Sequence, residues 1–275
     1  MRSVYMLAAA MAVGASFVPE QGELATGVRA AADVRPTVDF TWRKRMSAGQ
    51  TLEIKGVNGS IRAIAADGDE AEVTATKKSR RSDPDEVEIK VVEHANGVTI
   101  CAVYPTPARS RRENECAPGD DGHMNTQDND VDVTFTVEVP RGVHYAAHTV
   151  NGEIRAGALR SDVEAHTVNG DIRISTSGKA VANTVNGSID ASMGNADWSE
   201  DVSFTTVNGG ISLDLPAEVN ANLSASTVNG DIQSDFPVTV RGRFGPRRVS
   251  GTLGRGGHEL ELETVNGSIT LRKLP

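Results

Sequence analysis

The second half of the chain alternates apolar and polar residues with a period of two. Val202, Phe204 and Thr206 share one parity, and Ile211 and Leu213 continue the alternation after a short interruption. Successive side chains of a β-strand point to opposite faces, so this pattern predicts strands with one buried and one exposed face. The pattern recurs along the chain and predicts an all-β protein.

The two arms of each pattern meet at a repeated tetrapeptide, Thr-Val-Asn-Gly, followed one residue later by isoleucine. The first copy has Gly56 in place of threonine. Asn and Gly tolerate positive φ, so we expect the chain to turn at each copy. The predicted repeat tips are Asn58, Asn151, Asn169, Asn186, Asn208, Asn229 and Asn266.

The spacing of the copies is typical of a stacked repeat protein. From Val150 onward, the motif valines are 18, 17, 22, 21 and 37 residues apart. Since the last interval is close to two ordinary ones, we expect that one repeat lost its motif near Phe244 to Leu253.

Two architectures agree with this parity. A two-residue Asn-Gly hairpin would place Thr206 opposite Ile211, and a solenoid corner would turn the same residues inward on successive walls. The identity of the tips favours the solenoid, because stacked coils place each Asn, Gly and Val about 4.8 Å from its own copy. The predicted fold is a single-stranded β-solenoid of Thr-Val-Asn-Gly-x-Ile repeats. Its predicted core includes Ile172, Phe204, Ile211, Leu213, Leu262 and Ile269.

The first third of the chain is less regular, and a long polar segment separates it from the full repeats. This segment, residues 104–130, is rich in Arg, Asp, Asn, Gly and Pro and reads as a surface loop. The chain has two cysteines, Cys101 and Cys116, and an oxidising compartment favours a disulfide between them. We expect the disulfide to staple the loop.

The N-terminus has the pattern of a secretory signal. Arg2 is followed by an apolar run from Val4 to Val18 and by small residues through Ala32. We interpret residues 1–32 as a signal peptide and 33–275 as one mature domain that is periplasmic or secreted. The mature chain has no apolar stretch that predicts a transmembrane segment.

Composition and charge narrow the function classes. Aromatic residues make up only 4% of the chain, which suits a thin aliphatic core better than a large globular one. A formal net charge of −9 argues against nucleic acid as a partner, because phosphate binding needs a basic surface.

Candidate chemistry is sparse. His148 and His166 occupy matching positions on one arm, and Arg155 and Arg173 match on the other, so we expect polar ladders that form a ligand face. The following coils carry no third histidine at the equivalent position, which disfavours a metal site because such a site needs a fuller set of ligands. Glu153 and Asp171 form the one candidate carboxylate pair that glycoside hydrolysis would need. The sequence predicts no catalytic, cofactor-binding or metal-binding residues.

Two segments resemble a known family. The sequence from Val131 to Ile154, VDVTFTVEVPRGVHYAAHTVNGEI, is similar to the entry into the repeats of the DUF4097 adhesin-like family. Ser250 to Gly257, with Leu260 to Leu271, is similar to its last coil. The resemblance covers roughly Thr41 to Leu274 and implies one β-solenoid domain of the cell envelope. It implies no catalytic residues.

The sequence therefore predicts an exported, non-catalytic binding or structural module, whose partner is an envelope polymer or a protein. The alternative is a polysaccharide-active enzyme of the β-helix type, a lyase or a glycoside hydrolase. A deep groove lined by several carboxylates would distinguish the enzyme.

Overall fold

A computed structural model describes residues 39–195, 197–240 and 247–274. The predicted signal peptide, residues 1–32, lies outside the described residues. Two short 3₁₀ turns, Pro84–Glu86 and Gly119–Asp121, are the helical elements of the described chain. Its strands are β1 (Phe40–Arg45), β2 (Thr51–Lys55), β3 (Ile61–Ala65), β4 (Glu70–Lys78), β5 (Glu88–His94), β6 (Gly97–Val103), β7 (Asp132–Val139), β8 (His144–His148), β9 (Ile154–Leu159), β10 (Val163–His166), β11 (Ile172–Thr176), β12 (Ala180–Asn183), β13 (Ile189–Met193), β14 (Val202–Asn208), β15 (Ile211–Leu215), β16 (Ala221–Asn229), β17 (Ile232–Ser234), β18 (Thr239–Val240), β19 (Arg248–Leu253), β20 (Glu259–Asn266) and β21 (Ile269–Lys273).

The strands form two sheets. Sheet A has the order β1-β4-β7-β3-β9-β11-β13-β15-β21-β17, and sheet B has the order β18-β19-β16-β20-β14-β12-β10-β8-β2-β6-β5. Each repeat contributes one strand to sheet B, turns at its Asn-Gly tip, and contributes the next strand to sheet A. The arms on either side of a tip thus lie in different sheets, which excludes the hairpin alternative. The solenoid-like, all-β prediction is confirmed.

Neighbouring coils stack in parallel and in register. Val163 lies beside Ala180 in sheet B, and Ile172 lies beside Ile189 in sheet A. The register follows from the period-two pattern, because a slip of one residue would turn the apolar face of a strand outward. The six predicted core residues are all buried between the sheets, as expected.

The order of coils in space differs from their order in the sequence. Strand β20 pairs with β14 on one side and with β16 on the other, so the last repeat inserts between two earlier ones. The expectation of a lost repeat near Phe244 to Leu253 is wrong for residues 248–253. Arg248–Leu253 is an antiparallel strand beside β16, not a coil, and residues 241–246 lie outside the described residues.

The N-terminal part of the fold extends both sheets by antiparallel strands. In sheet A, β4 pairs with β7 and β1 pairs with β4, whereas in sheet B β5 pairs with β6. The polar segment 104–130 follows β6 and contains the short turn Gly119–Asp121 and one antiparallel bridge between Glu115 and His123. It lies over the outer face of sheet B, where it contacts β2.

Candidate functional site

Four positions of the motif have distinct structural environments, and the threonine is the innermost of them. In each full repeat its buried hydroxyl donates a hydrogen bond to the carbonyl of the motif glycine in the adjacent coil. The distance is 3.0 Å from Thr184 Oγ1 to Gly170 O and 2.8 Å from Thr206 Oγ1 to Gly187 O. The first copy has Gly56 here, where a Cβ would lie 3.3 Å from Thr149 Oγ1. The threonines therefore tie each coil to its neighbour.

The motif glycines are required by the close approach of adjacent tips. A Cβ on Gly187 would lie 2.0 Å from Gly170 O, and one on Gly209 would lie 2.0 Å from Gly187 O. No side chain fits at such a distance, since the obstacle is backbone and cannot rotate away.

The seven motif asparagines form one row of hydrogen-bonded side-chain amides. Six of the seven donate from Nδ2 to the Oδ1 of the adjacent asparagine at 2.8–2.9 Å, in one direction along the row, and Asn58 at its start only accepts. The row runs Asn58, Asn151, Asn169, Asn186, Asn208, Asn266, Asn229. All the predicted repeat tips thus lie on one edge of the stack, with the last repeat inserted before Asn229.

The motif valine points outward. Val150 is 38% exposed and Val228 is 55% exposed, whereas Val57 at the start of the row is buried. The valines form an apolar ridge beside the asparagine row and contribute little to the core. Scattered exposed apolar residues are ordinary on proteins, but a continuous row of them is a candidate contact surface.

The outer face of sheet A carries a shallow groove of about 350 Å³. Its lining combines short residues, at Gly157, Ser175, Ser192 and Ser212, with longer charged side chains, at Arg155, Arg173, Asp190, Asp214 and Arg272. The short residues let a ligand approach the sheet, and the charged ones supply both hydrogen-bond donors and acceptors.

The charges along this groove are already paired. Arg155 Nε lies 2.7 Å from Glu153 Oε1, and Arg272 Nε lies 2.6 Å from Asp214 Oδ1. Arg173 contacts Glu153 and lies within 4 Å of both Asp171 and Asp190. The hydrogen bond that Arg155 donates to Glu153 raises the pKa of Arg155 above its usual value. The face thus presents alternating charges without a large excess of either sign.

The pairing bears on the enzyme alternative. Glu153 and Asp171 lie on adjacent coils, as the sequence predicted, but Arg173 contacts both of them. In a glycosidase the two carboxyl groups flank the bond that is cleaved, whereas both of these carboxylates face the same guanidinium. The surroundings of this pair suit a structural ion network better than acid–base catalysis.

The outer face of sheet B carries a stacked histidine pair. The rings of His148 and His166 are 5.1 Å apart between centroids, with their planes within 7° of parallel. His166 Nε2 lies 2.8 Å from Glu164 Oε1, and His148 Nε2 lies 3.5 Å from Glu53 Oε1. Burial lowers the pKa of His148, and the neighbouring His166 lowers it further.

Glu53 joins sheet B to the polar loop. Its carboxylate is buried and accepts hydrogen bonds from Thr99 Oγ1 at 2.7 Å and from Gly119 N at 3.2 Å. Lys55 Nζ lies 3.3 Å from Glu53 Oε1 and donates to Ala117 O at 2.7 Å. Sequence reasoning missed this network, because Glu53 has the parity of an exposed residue until the loop covers it.

The disulfide lies in the same region. Cys101 and Cys116 are bonded, with their Cα atoms 5.7 Å apart, and both are buried. Cys101 lies on β6 and Cys116 lies in the polar loop, so the disulfide holds the loop against sheet B, as the sequence predicted.

The predicted polar-ladder residues do not share one face. His148 and His166 lie on sheet B, and Arg155 and Arg173 lie on sheet A, with the core between them. The sequence placed the two pairs on different arms, and the sheets turn those arms to opposite sides of the molecule. A single ligand face made of all four residues is therefore wrong.

The histidines of the whole chain are concentrated on one side. Those outside the stacked pair lie in sheet B or in loops beside it: His94, His123, His144 and His258. Sheet B and its loops therefore carry the imidazole side chains, whereas the sheet A groove carries arginines and carboxylates.

Within the described ranges, no group of three or more His, Cys, Asp or Glu side chains is arranged to hold a metal ion. In the same part of the chain, no helix has the length and apolar character needed to cross a membrane.

Residues 121–272, more than half of the chain, match the profile of the family described as Toastrack DUF4097. A solved structure of a putative cell adhesion protein from Clostridium sporogenes has 11% sequence identity and a TM-score of 0.47; the alignment covers 86% of this chain and 99% of that one. A putative adhesin from Bacteroides fragilis has 11% identity and a TM-score of 0.26, with 87% and 99% covered. No curated protein matches the chain.

Proposed function

This chain belongs to the DUF4097 (Toastrack) family, and on that premise we propose that it is a non-catalytic, adhesin-like binding module exported to the cell envelope. The groove on sheet A is the observation that carries this proposal. It combines a bed of small residues with paired arginines and carboxylates on a rigid, repetitive wall.

The ligand we propose is an extended, hydroxyl-rich polymer of the envelope. Arginine–carboxylate pairs donate and accept hydrogen bonds in fixed directions, as vicinal hydroxyl groups require. The rows repeat at the strand spacing of about 4.8 Å, so a long ligand would meet similar groups several times. Weak contacts repeated along a polymer add up to useful avidity.

The groove is tested by filling it. Ser192→Trp places a bulky side chain in the groove, and Ser203→Trp, on the outer face of sheet B, is the matched control. We expect cosedimentation with purified peptidoglycan sacculi to be lost in Ser192→Trp and kept in Ser203→Trp. Equal binding by both variants and the wild type would show that the groove is not the binding surface.

The non-catalytic part of the proposal has a separate test. We expect no release of reducing ends or unsaturated products when the purified mature chain is incubated with envelope and plant polysaccharides. Cleavage that disappeared in Glu153→Gln would establish the enzyme alternative instead, since loss of a general acid or base typically costs about 10²–10⁴ in rate.

Export is proposed from the N-terminal pattern. We expect the full-length precursor, expressed in a Gram-negative host, to appear in the periplasm with a new N-terminus close to residue 33. Recovery of the uncleaved chain from the cytoplasm alone would contradict it.

A further inference from the structure

The repeated tip carries a chemical liability that the fold suppresses at most copies. In an Asn-Gly sequence, the backbone nitrogen of the glycine can attack the asparagine side-chain carbonyl, because glycine has no side chain to obstruct the approach. The attack requires the glycine nitrogen to leave its hydrogen bond and the asparagine side chain to rotate. A tip that is held in both respects resists the reaction.

Six of the seven tips are held in this way. At each of them the glycine N–H donates to the backbone carbonyl of the asparagine in the next coil, at 2.9–3.1 Å. These donors are Gly59, Gly152, Gly170, Gly187, Gly209 and Gly267. The side-chain amides of the same tips belong to the asparagine row, so both reacting groups are engaged.

The seventh tip, Asn229-Gly230, ends the row. Among the described residues, Gly230 N has no acceptor and Asn229 Oδ1 has no donor. Other side chains of this terminal coil are also more exposed than their equivalents in the other coils. Val228 is the most exposed motif valine, and Ile232 is only half-buried, whereas Ile211 and Ile269 at the equivalent position are at most 2% exposed.

We propose that Asn229 deamidates spontaneously, and that it does so faster than the other motif asparagines because it lies at the end of the row. The nitrogen of Gly230 forms a bond to Cγ of Asn229, and the bond from Cγ to the amide nitrogen breaks. Ammonia leaves, with the proton that Gly230 N gives up, and a succinimide remains. Water then opens the ring to aspartate or isoaspartate, with no change of oxidation state.

The product weakens the contact that holds the terminal coil. Asn229 Nδ2 donates to Asn266 Oδ1 at 2.8 Å, and a carboxylate at this position would place two acceptors together. The new negative charge would also lie two residues from Asp231 in the sequence. Deamidation therefore loosens β17 and the tip before it and removes the donor of Asn266 Oδ1, while the bonds among the six other tips stay in place.

Peptide mapping by mass spectrometry tests the proposal on the intact folded protein. After incubation at mildly alkaline pH, we expect Asn229 to convert at least about tenfold faster than Asn186 or Asn208, since each of those tips must first break hydrogen bonds with a net value of about 1 kcal/mol apiece. The interior tips in the same digest serve as internal controls.

The unfolded chain provides the second measurement. In concentrated urea, we expect the selectivity for Asn229 over the other tips to disappear, because the hydrogen bonds that protect them are gone. Comparable rates at all seven tips of the folded protein, or faster conversion at an interior tip, would overturn the proposal. So would a preference for Asn229 that persisted unchanged in urea, because local sequence would then explain it.

Discussion

At one end of the asparagine row, Asn58 lies under other parts of the chain, whereas at the other end Asn229 Oδ1 accepts no hydrogen bond from a described residue. The carbonyl of Asn58 accepts a hydrogen bond from Val133 N at 2.8 Å and is approached by the hydroxyl of Tyr104. Burial raises the pKa of Tyr104 to about 12, which keeps this hydroxyl protonated. In a stack of identical coils, the last coil at each end has no further coil to pair with. Other parts of the chain must therefore cover each end, and the two ends differ in how they are covered.

The two ends show what a cap requires. The N-terminal end has antiparallel strands on both sheets, a disulfide-held loop and the buried Glu53 network. The C-terminal end has antiparallel strands β19 and β18 on sheet B, while sheet A finishes at the three-residue strand β17. We therefore expect the N-terminal end to lose more stability when its special contacts are removed, and the C-terminal end to tolerate changes beyond the inserted coil.

The largest effect is expected where the inserted coil meets the core. Leu262 is fully buried on β20 between β14 and β16, so Leu262→Ala should lower the unfolding free energy by about 2–5 kcal/mol. Ile232→Ala, in the half-buried terminal coil, should cost clearly less. Chemical denaturation monitored by circular dichroism measures both, and equal losses would remove the distinction between the interior and the end of the stack.

The disulfide is expected to come next. Its cysteines are 15 residues apart, and a loop of this length is worth about 3 kcal/mol in the chain-entropy model. The double variant Cys101→Ser, Cys116→Ser should unfold at a lower denaturant concentration than the wild type. Its polar loop should also be cleaved more readily in limited proteolysis. If stability and proteolysis were both unchanged, the loop would not depend on the bond.

A threonine of the motif tests the ties between coils. Thr184→Val preserves shape but removes the hydrogen bond to Gly170 O, and it should cost about 1 kcal/mol. Thr205→Val is the matched control, because Thr205 is the neighbouring outward residue and makes no side-chain hydrogen bond within the described chain. Equal melting temperatures for the two variants would argue against a role for the buried hydroxyls.

Mild acid should lower the stability of the N-terminal end selectively. This is the smallest of the predicted effects. The folded-state pKa of His148 lies below its usual value, so the unfolded chain binds more protons as the pH falls. Stability should therefore decrease from about pH 6.5, the ordinary histidine pKa, down through the folded-state pKa. The charges facing this ring are Lys55, Glu53, His166 and Glu164.

His148→Asn, which copies Asn183 at the equivalent position two coils further along, should flatten this pH dependence. Denaturant melts of both proteins between about pH 5 and 8 measure it. An identical slope in the variant and the wild type would show that another group is responsible.

Much of the fold was predictable because the relevant signals are local. The alternation around Phe204 and Leu213 sets which side chains face inward, and the tetrapeptide marks where the chain leaves one sheet for the other. The disulfide followed from a count of two cysteines and a predicted compartment. The groove was not predictable, because it depends on which residues of five different strands become neighbours.

What the sequence determined by itself is thus the coil: its strands, its corner at Asn-Gly, and the inward parity of Ile172 and its equivalents. Tertiary structure alone decided the order of the coils. Each tip offers the same hydrogen bonds to any neighbour, so the motif cannot specify that Asn266 lies between Asn208 and Asn229. The same applies to Glu53, whose burial depends on a loop more than sixty residues away. Identical repeats encode how coils pair, and only the packing of the whole chain selects which coils do so.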